Sequence, residues 1–312
     1  MWKLFVVVVL ACTSASAQRI PIILDTDIGD SIDDALALAF ALHSPELDVR
    51  AVTTVIDDVE SKTRLAWKML GLYNRRDIAL AMGASDPLLD STLSAPSKEF
   101  EVLTRNDAIP DAARKRAADL IIDTVLQSRG KITIVAIGPM TNIALAIKLD
   151  PRIKNNIERI VMMGGAYLRS ETEYNVKRDR TAAEIVFQSG IPITAIGLDV
   201  TSQCKLPEKD LDRMRLADDP AGNFLIRLVD LAEEQTHDPS PTLYDPLAIA
   251  AIFRPDLLEM QAGTVDVPLS GPGQTIFKPL PGSKTQVAVK VNAPAFLALF
   301  VDRVTRGSGG LR

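Results

Sequence analysis

The sequence predicts an α/β fold, with a mostly parallel central sheet flanked by helices and a helical, partly β C-terminal portion. Three observations predict it. Short Val/Ile/Leu runs alternate with longer helical patterns between residues 20 and 196. Those runs are apolar at consecutive positions, as strands covered on both faces require. Ligand-competent polar residues gather where the runs end, and parallel sheets bind ligands beyond the carboxyl ends of their strands.

The elements follow in order. Residues 20–24 form a β-branched strand, and an apolar helix pattern covers 33–42. A strand at 49–55, a helix at 61–72 and a weaker strand at 78–81 come next. An amphipathic helix spans 112–127, and the strand at 131–137 is stopped by Gly138-Pro139 before a helix that starts near Thr141. Residues 160–163 run into Gly164-Gly165, residues 181–188 are helical, and 193–196 is a strand. From Pro207 the pattern is mainly helical, with a hairpin region at 264–291 and a last helix after Pro294. No Pro-, Gly- or Ser-rich linker divides the chain, so residues 18–312 read as one domain.

With 47% hydrophobic residues over 312 positions, there is ample material for a core. A net charge of −5 argues against nucleic acid as a partner, because phosphate contacts need a basic footprint. No apolar run after residue 20 is long enough to span a membrane. Residues 1–17 read as a signal peptide: Met1-Trp2-Lys3, an apolar stretch, then Ala15-Ser16-Ala17 as the cleavage pattern. That predicts a periplasmic or secreted protein, with lipid anchoring through Cys12 as a variant. Cleavage would leave only Cys204, so no internal disulfide is expected.

The chemistry starts after the first strand, where Asp25, Asp27, Asp30, Asp33 and Asp34 fall within ten residues. In a partly buried turn these carboxylates repel one another. A divalent cation relieves that repulsion, and an all-oxygen ligand set selects calcium or magnesium over zinc. The plainer alternative makes Asp33 a helix cap and the rest solvated turn residues. Further polar groups end later strands: Asp57-Asp58, Gly138-Pro139-Met140-Thr141-Asn142 and Gly164-Gly165.

Asp25-Thr26-Asp27-Ile28-Gly29 with Asp33-Asp34-Ala35-Leu36-Ala37-Leu38 resembles the signature of the inosine–uridine nucleoside hydrolases. The likeness continues in order through residues 51–55, 135–144 and 161–166, then Glu173-Tyr174-Asn175, residues 198–201 and Asp245-Pro246-Leu247-Ala248. It implies a Rossmann-related fold and a calcium ion held by Asp27, Asp34, Asp245 and the main-chain carbonyl of Ile137. Asp33, Glu173 and Asn175, with Asp58 at a position where asparagine is frequent, would bind the ribose of a nucleoside substrate. Asp27 would also take a proton from the attacking water, and the family suggests a dimer or tetramer. Without the resemblance, Glu173 and Asn175 would read as solvated loop residues.

The chain departs from the family near the leaving group. Tyr244 precedes the last metal ligand where histidine is common, so either Tyr244 or the nearby His237 serves as the acid, or the leaving group departs by another route. The first motif has two extra residues before Asp33 compared with its shorter form. Two other functions compete: a nucleoside- or ribose-binding protein with a degenerate site, and a metal-dependent phosphatase using Asp25-Thr26-Asp27. The phosphatase reading leaves Asp33-Asp34 and the distant Asp245 unexplained.

Overall fold

A computed structural model describes residues 19–89, 96–216 and 219–306. The leader expected at 1–17, including Cys12, lies outside them. The first half alternates β1 (Ile20–Thr26), α1 (Ile32–Leu42), β2 (Leu47–Thr54), α2 (Val59–Leu72) and β3 (Ala79–Ala81). It continues with α3 (Ala117–Gln127), β4 (Ile132–Ala136), α4 (Thr141–Leu149) and β5 (Ile157–Met163). Next come α5 (Tyr174–Arg178), α6 (Arg180–Phe187), β6 (Ile193–Ile196), α7 (Leu198–Thr201), α8 (Glu208–Arg215), α9 (Pro220–Thr236) and α10 (Tyr244–Phe253). The strands β7 (Leu258–Asp266), β8 (Ile276–Pro279) and β9 (Thr285–Val291) precede α11 (Ala293–Val304).

Among the described residues the sheet has the order β3-β2-β1-β4-β5-β6-β9-β7-β8. Every pairing from β3 to β9 is parallel, while β7 runs antiparallel to β9 and β8. The expected hairpin region therefore joins the main sheet, because β9 adds in parallel to β6. Strand alternation divides the core. Ile22, Leu24 and Val135 pack on the side of α1, α9, α10 and α11, whereas Ile23, Ile134 and Ala136 pack against α3, α4 and α6.

Two helices are apolar on all sides and are accordingly sunk in the protein. Every residue of α1 is buried, as are Asp245 through Ile252 of α10, and the two helices pack against each other. The helix expected at 112–127 is shorter than its pattern. Residues Asp111–Arg114 make a 3-10 turn, then Arg116 bridges Met82 and Ala117 N donates to the Met82 carbonyl at 2.8 Å. Pairing with the end of β3 thus replaces the first helical turn.

Phe40 of α1 is fully buried, with ring centroids of Phe300, Phe253 and Phe296 at 5.4, 6.0 and 6.5 Å. Phe40→Ala is expected to cost about 3–5 kcal/mol of stability in urea unfolding, through the cavity it leaves. A loss below about 1 kcal/mol would show that α1 is not held by this aromatic cluster.

Candidate active site

The parallel topology brings the ends of β1, β4 and β5 to one side, together with the first turns of α1, α5 and α10. They line a cleft of about 570 Å³. Asp27, Asp30, Asp33, Asp34, Glu171, Glu173 and Asp245 all contribute to its wall, and no Lys or Arg does among the described residues.

Asp25 lies behind the wall, fully buried at the end of β1. Its Oδ1 accepts from Thr53 Oγ1 at 2.5 Å and from Asn142 Nδ2 at 2.8 Å, which ties β1 to β2 and to the start of α4. Its Oδ2 has no partner, and burial pushes the group up to about 7. Asn142 also donates to the Thr54 carbonyl, so it clamps two strand ends.

The next residues turn inward. Thr26 Oγ1 donates to Asp34 Oδ1 at 2.5 Å and accepts from Ile28 N at 3.0 Å, docking the first turn of α1 onto the loop. Gly29 has a φ of +98°, and a Cβ there would collide with the Phe100 ring. Asp33 Oδ2 accepts from Asp245 N at 3.3 Å, which links α1 to α10. As a result Asp33, Asp34 and Asp245 each offer a carboxylate oxygen within 4.8 Å of the others. The first turns of two helices favour negative charge, yet burial opposes it. Burial and then mutual repulsion hold Asp34 and Asp245 well above the usual carboxylate range. Asp27 is raised by burial and then by Asp30, with Lys62 opposing. A cation is the natural counterpart of such a group, and every donor here is oxygen, so the residues fit a hard divalent ion.

Of the ligands expected from the sequence, Asp27, Asp34, Asp245 and Ile137 all line the cleft. The tightest oxygen cluster, however, contains Asp33 in place of Asp27. Gly138 allows the close approach of Asp27, since a Cβ there would fall 2.8 Å from its backbone nitrogen and Oδ1. Glu173 caps α5, accepting from Asn175 N at 2.7 Å, Val176 N at 2.9 Å and Gly165 N at 3.0 Å. Asn175 Nδ2 donates to the carbonyls of Ile137 at 3.0 Å and Met163 at 3.2 Å. Tyr244, half-buried at the first position of α10, lines the cleft beside Asp245.

Two expected site residues are elsewhere. Asp58 is an exposed cap of α2 that accepts from Ser61 N at 3.0 Å, and it does not line the cleft. The preceding residues Ile56 and Asp57 adopt left-handed backbone, with φ of 63° and 59°, and the inward carboxylate is that of Asp57. His237 is the exposed C-cap of α9 and borders a surface groove with Arg227, Asp230, Glu233 and Glu234. Gln235 of the same helix reaches the cleft instead. The sequence reading also missed Tyr174 and Asp30 as rim residues and the fully buried Lys62, which no periodicity marks.

A carboxylate-lined cleft at the carboxyl edge of a parallel sheet, with no basic side chain among the described residues that line it, has the form of an enzyme site whose acidic cluster could hold a metal ion. Comparison with known proteins agrees and narrows the class. Residues 22–298 match the model of the inosine-uridine preferring nucleoside hydrolases, and the chain belongs to that family. It is a ribonucleoside hydrolase. It is 36% identical over 309 residues to the pyrimidine-specific ribonucleoside hydrolase RihA of Escherichia coli O127:H6 (strain E2348/69 / EPEC), covering 92% of this chain and 99% of that one. Among solved structures, the plant nucleoside hydrolase PpNRh1 superposes with a TM-score of 0.81 at 29% identity, over 93% of this chain and all of that one. The purine-preferring ribonucleoside hydrolase from Gardnerella vaginalis gives a TM-score of 0.81 at 33% identity, over 91% and 98% of the two chains.

The same comparison corrects the expectation of export. The RihA relatives are matched over 99% of their own length by 92% of this chain, which leaves part of this chain without a counterpart in them. The family match begins only at residue 22. A periplasmic or secreted location, with or without an anchor at Cys12, does not stand against these relatives. Among the described residues, no helix is long and apolar enough to cross a membrane.

Glu99, fully enclosed beside this cluster, is pushed up to about 8 by burial and then by Asp33 and Asp30. A carboxyl raised on folding favours the protonated state, so its contribution is complete below the unfolded value of 4.5 and is lost as pH rises through 8. In metal-free protein, Glu99→Gln is therefore expected to become progressively more stable than wild type between pH 5 and about 8. Parallel pH–stability curves for the two proteins would contradict this assignment.

Proposed function

We propose that the chain hydrolyses the N-glycosidic bond of ribonucleosides with calcium as its ion, giving free base and ribose. The observation that carries the reading is the meeting of Asp33, Asp34 and Asp245 oxygens within 4.8 Å, in the same cleft as Asp27, Glu173, Asn175 and Tyr244. Carboxylates together with the Ile137 carbonyl suit calcium, which accepts many oxygens in flexible geometry. Bound calcium would acidify a coordinated water and anchor sugar hydroxyls.

The chain's own residues supply the rest. Asp33, Asp34 and Asp245, with Asp27 nearby, place negative charge where the ribosyl carbon becomes cationic as the C–N bond breaks. Asp27 accepts the proton of the attacking water, whose oxygen bonds to that carbon. Glu173, held by backbone N–H groups of α5 and of Gly165, turns its carboxylate to the cleft wall, where a ribose hydroxyl can reach it. Asn175 uses its amide nitrogen on two carbonyls, which leaves its oxygen as an acceptor. Tyr244, which lines the cleft, donates a proton to the departing base, a part for which it is better placed than His237, which is exposed on the outer surface. A cleft without basic side chains weighs against a phosphate ester as substrate. Assembly as a dimer or tetramer belongs to the same reading, on the family resemblance.

Purified protein incubated with inosine, adenosine, uridine and cytidine should release base and ribose. A chelator should lower the rate by about tenfold or more, with recovery on adding calcium. Asp27→Ala should lower kcat by roughly 10²–10⁴. Ribose binding without release of base would leave a binding protein, and release unaffected by Asp27→Ala would sink the mechanism.

Tyr244→Phe separates leaving-group assistance from binding. On natural nucleosides kcat should fall by roughly 10²-fold with little change in KM. A nitrophenyl riboside, whose leaving group needs no proton, should be almost unaffected. Equal losses on both substrates would remove Tyr244 from this role.

A further inference from the structure

Tyr174 and Asp30 take no part in the chemistry above, yet they meet across the mouth of the cleft. The Tyr174 hydroxyl donates to Asp30 Oδ2 at 3.3 Å, joining residues 144 positions apart. Both line the cleft, and Tyr174 is 44% exposed at its rim. Each end is anchored from behind. Asp30 Oδ1 lies 2.8 Å from Nζ of Lys62, whose side chain is fully buried and also donates to the Val55 carbonyl at 3.3 Å. Arg178, one turn beyond Tyr174 on α5, sets its guanidinium 6.0 Å from the Tyr174 ring centroid and donates to Asp57 at 2.7 and 2.8 Å. Asp57 stands two residues from Val55, so the contacts close into a ring around one side of the mouth.

The position of this ring suggests its purpose. Glu173 and Asn175 flank Tyr174, while Asp33 lies three residues beyond Asp30. The bridge therefore spans the two segments to which sugar contacts are assigned. Asp30 belongs to the longer form of the first motif, and Asp30 N closes that turn onto the Asp27 carbonyl at 3.1 Å. A long polar side chain buried in α2 has no packing reason to be there, since an apolar residue would fill the same space without desolvation cost. What Lys62 supplies is a fixed location for the Asp30 carboxylate.

We propose that Tyr174 is a positioning residue: its bridge to Asp30, held by Lys62 and Arg178, sets the width of the sugar pocket and thereby the affinity for ribosides. The inference rests on the nucleoside hydrolase reading, but it can be measured without turnover. Calorimetry with ribose on calcium-loaded protein reports the pocket directly, for wild type, Tyr174→Phe, Asp30→Asn and the double variant. Each single change should weaken ribose binding roughly five- to tenfold, the scale of one net hydrogen bond. The double variant should be no weaker than either single one, because both remove the same bridge. Lys62→Met combined with Asp30→Asn removes both charges, and serves as a second arm if Asp30→Asn leaves Lys62 unpaired and lowers Tm. Ribose affinity equal to wild type in Tyr174→Phe, or losses that multiply in the double variant, would overturn the bridge. The wild-type nucleoside assay decides the function separately: turnover with unchanged ribose affinity in Tyr174→Phe defeats this inference alone.

Discussion

Carboxylates gathered out of reach of water govern this molecule. Asp27, Asp33, Asp34 and Asp245 are each almost completely buried, on the wall of one cleft. Charges at such separations in a protein interior repel by several kcal/mol, on the order of 4 at an effective dielectric of 20. Protons or a cation must answer that repulsion. Among the described residues Lys62 offsets the Asp27 charge, and that ammonium is already engaged by Asp30. The site is thus an electrostatic deficit that positive charge completes; in the proposed reaction that charge is an ion and then the cationic carbon of a breaking glycosidic bond.

The fold exists to hold that deficit in shape. Two apolar helices, α1 and α10, are buried against each other, so the acidic residues at their first turns cannot move apart into solvent. Hydrogen bonds then fix individual groups: Thr26 to Asp34, Asp245 N to Asp33, and Thr53 and Asn142 to Asp25 behind them. Glu173 and Asn175 are held equally firmly, by backbone groups at the ends of β4 and β5. Preorganisation of this kind removes reorganisation from the reaction itself.

The relatives extend from a pyrimidine-specific enzyme, matched in sequence along nearly its whole length, to a purine-preferring one whose backbone superposes on this chain with a TM-score of 0.81. Base preference is therefore a property of side chains near the leaving group and not of the fold. In the proposed reading that region contains Tyr244, Gln235 and Ser97, which line the cleft. It differs from the carboxylate end in chemistry, being neutral and half-open where the other is charged and enclosed.

The sequence by itself determined the alternating α/β order, the placement of polar groups after β1, β4 and β5, and the identity of the acidic cluster. These are local facts: hydrophobic period, strand-end position and charge density depend on neighbours in the chain. It could not say that β9 adds in parallel to β6, since strand pairing is set by contacts distant in sequence. Nor could it tell Asp58 from Asp57, because left-handed backbone at Ile56 and Asp57 decides which carboxylate faces inward. His237 looked close to Tyr244 along the chain, but the end of α9 carries it to the outer surface while Gln235 turns to the cleft. Which carboxylate oxygens converge, and which residues bridge the rim through Lys62 and Arg178, follow from packing between elements up to 212 residues apart. Residue type is written in the sequence; the direction in which a side chain points is settled only when the distant elements that confine it have come together.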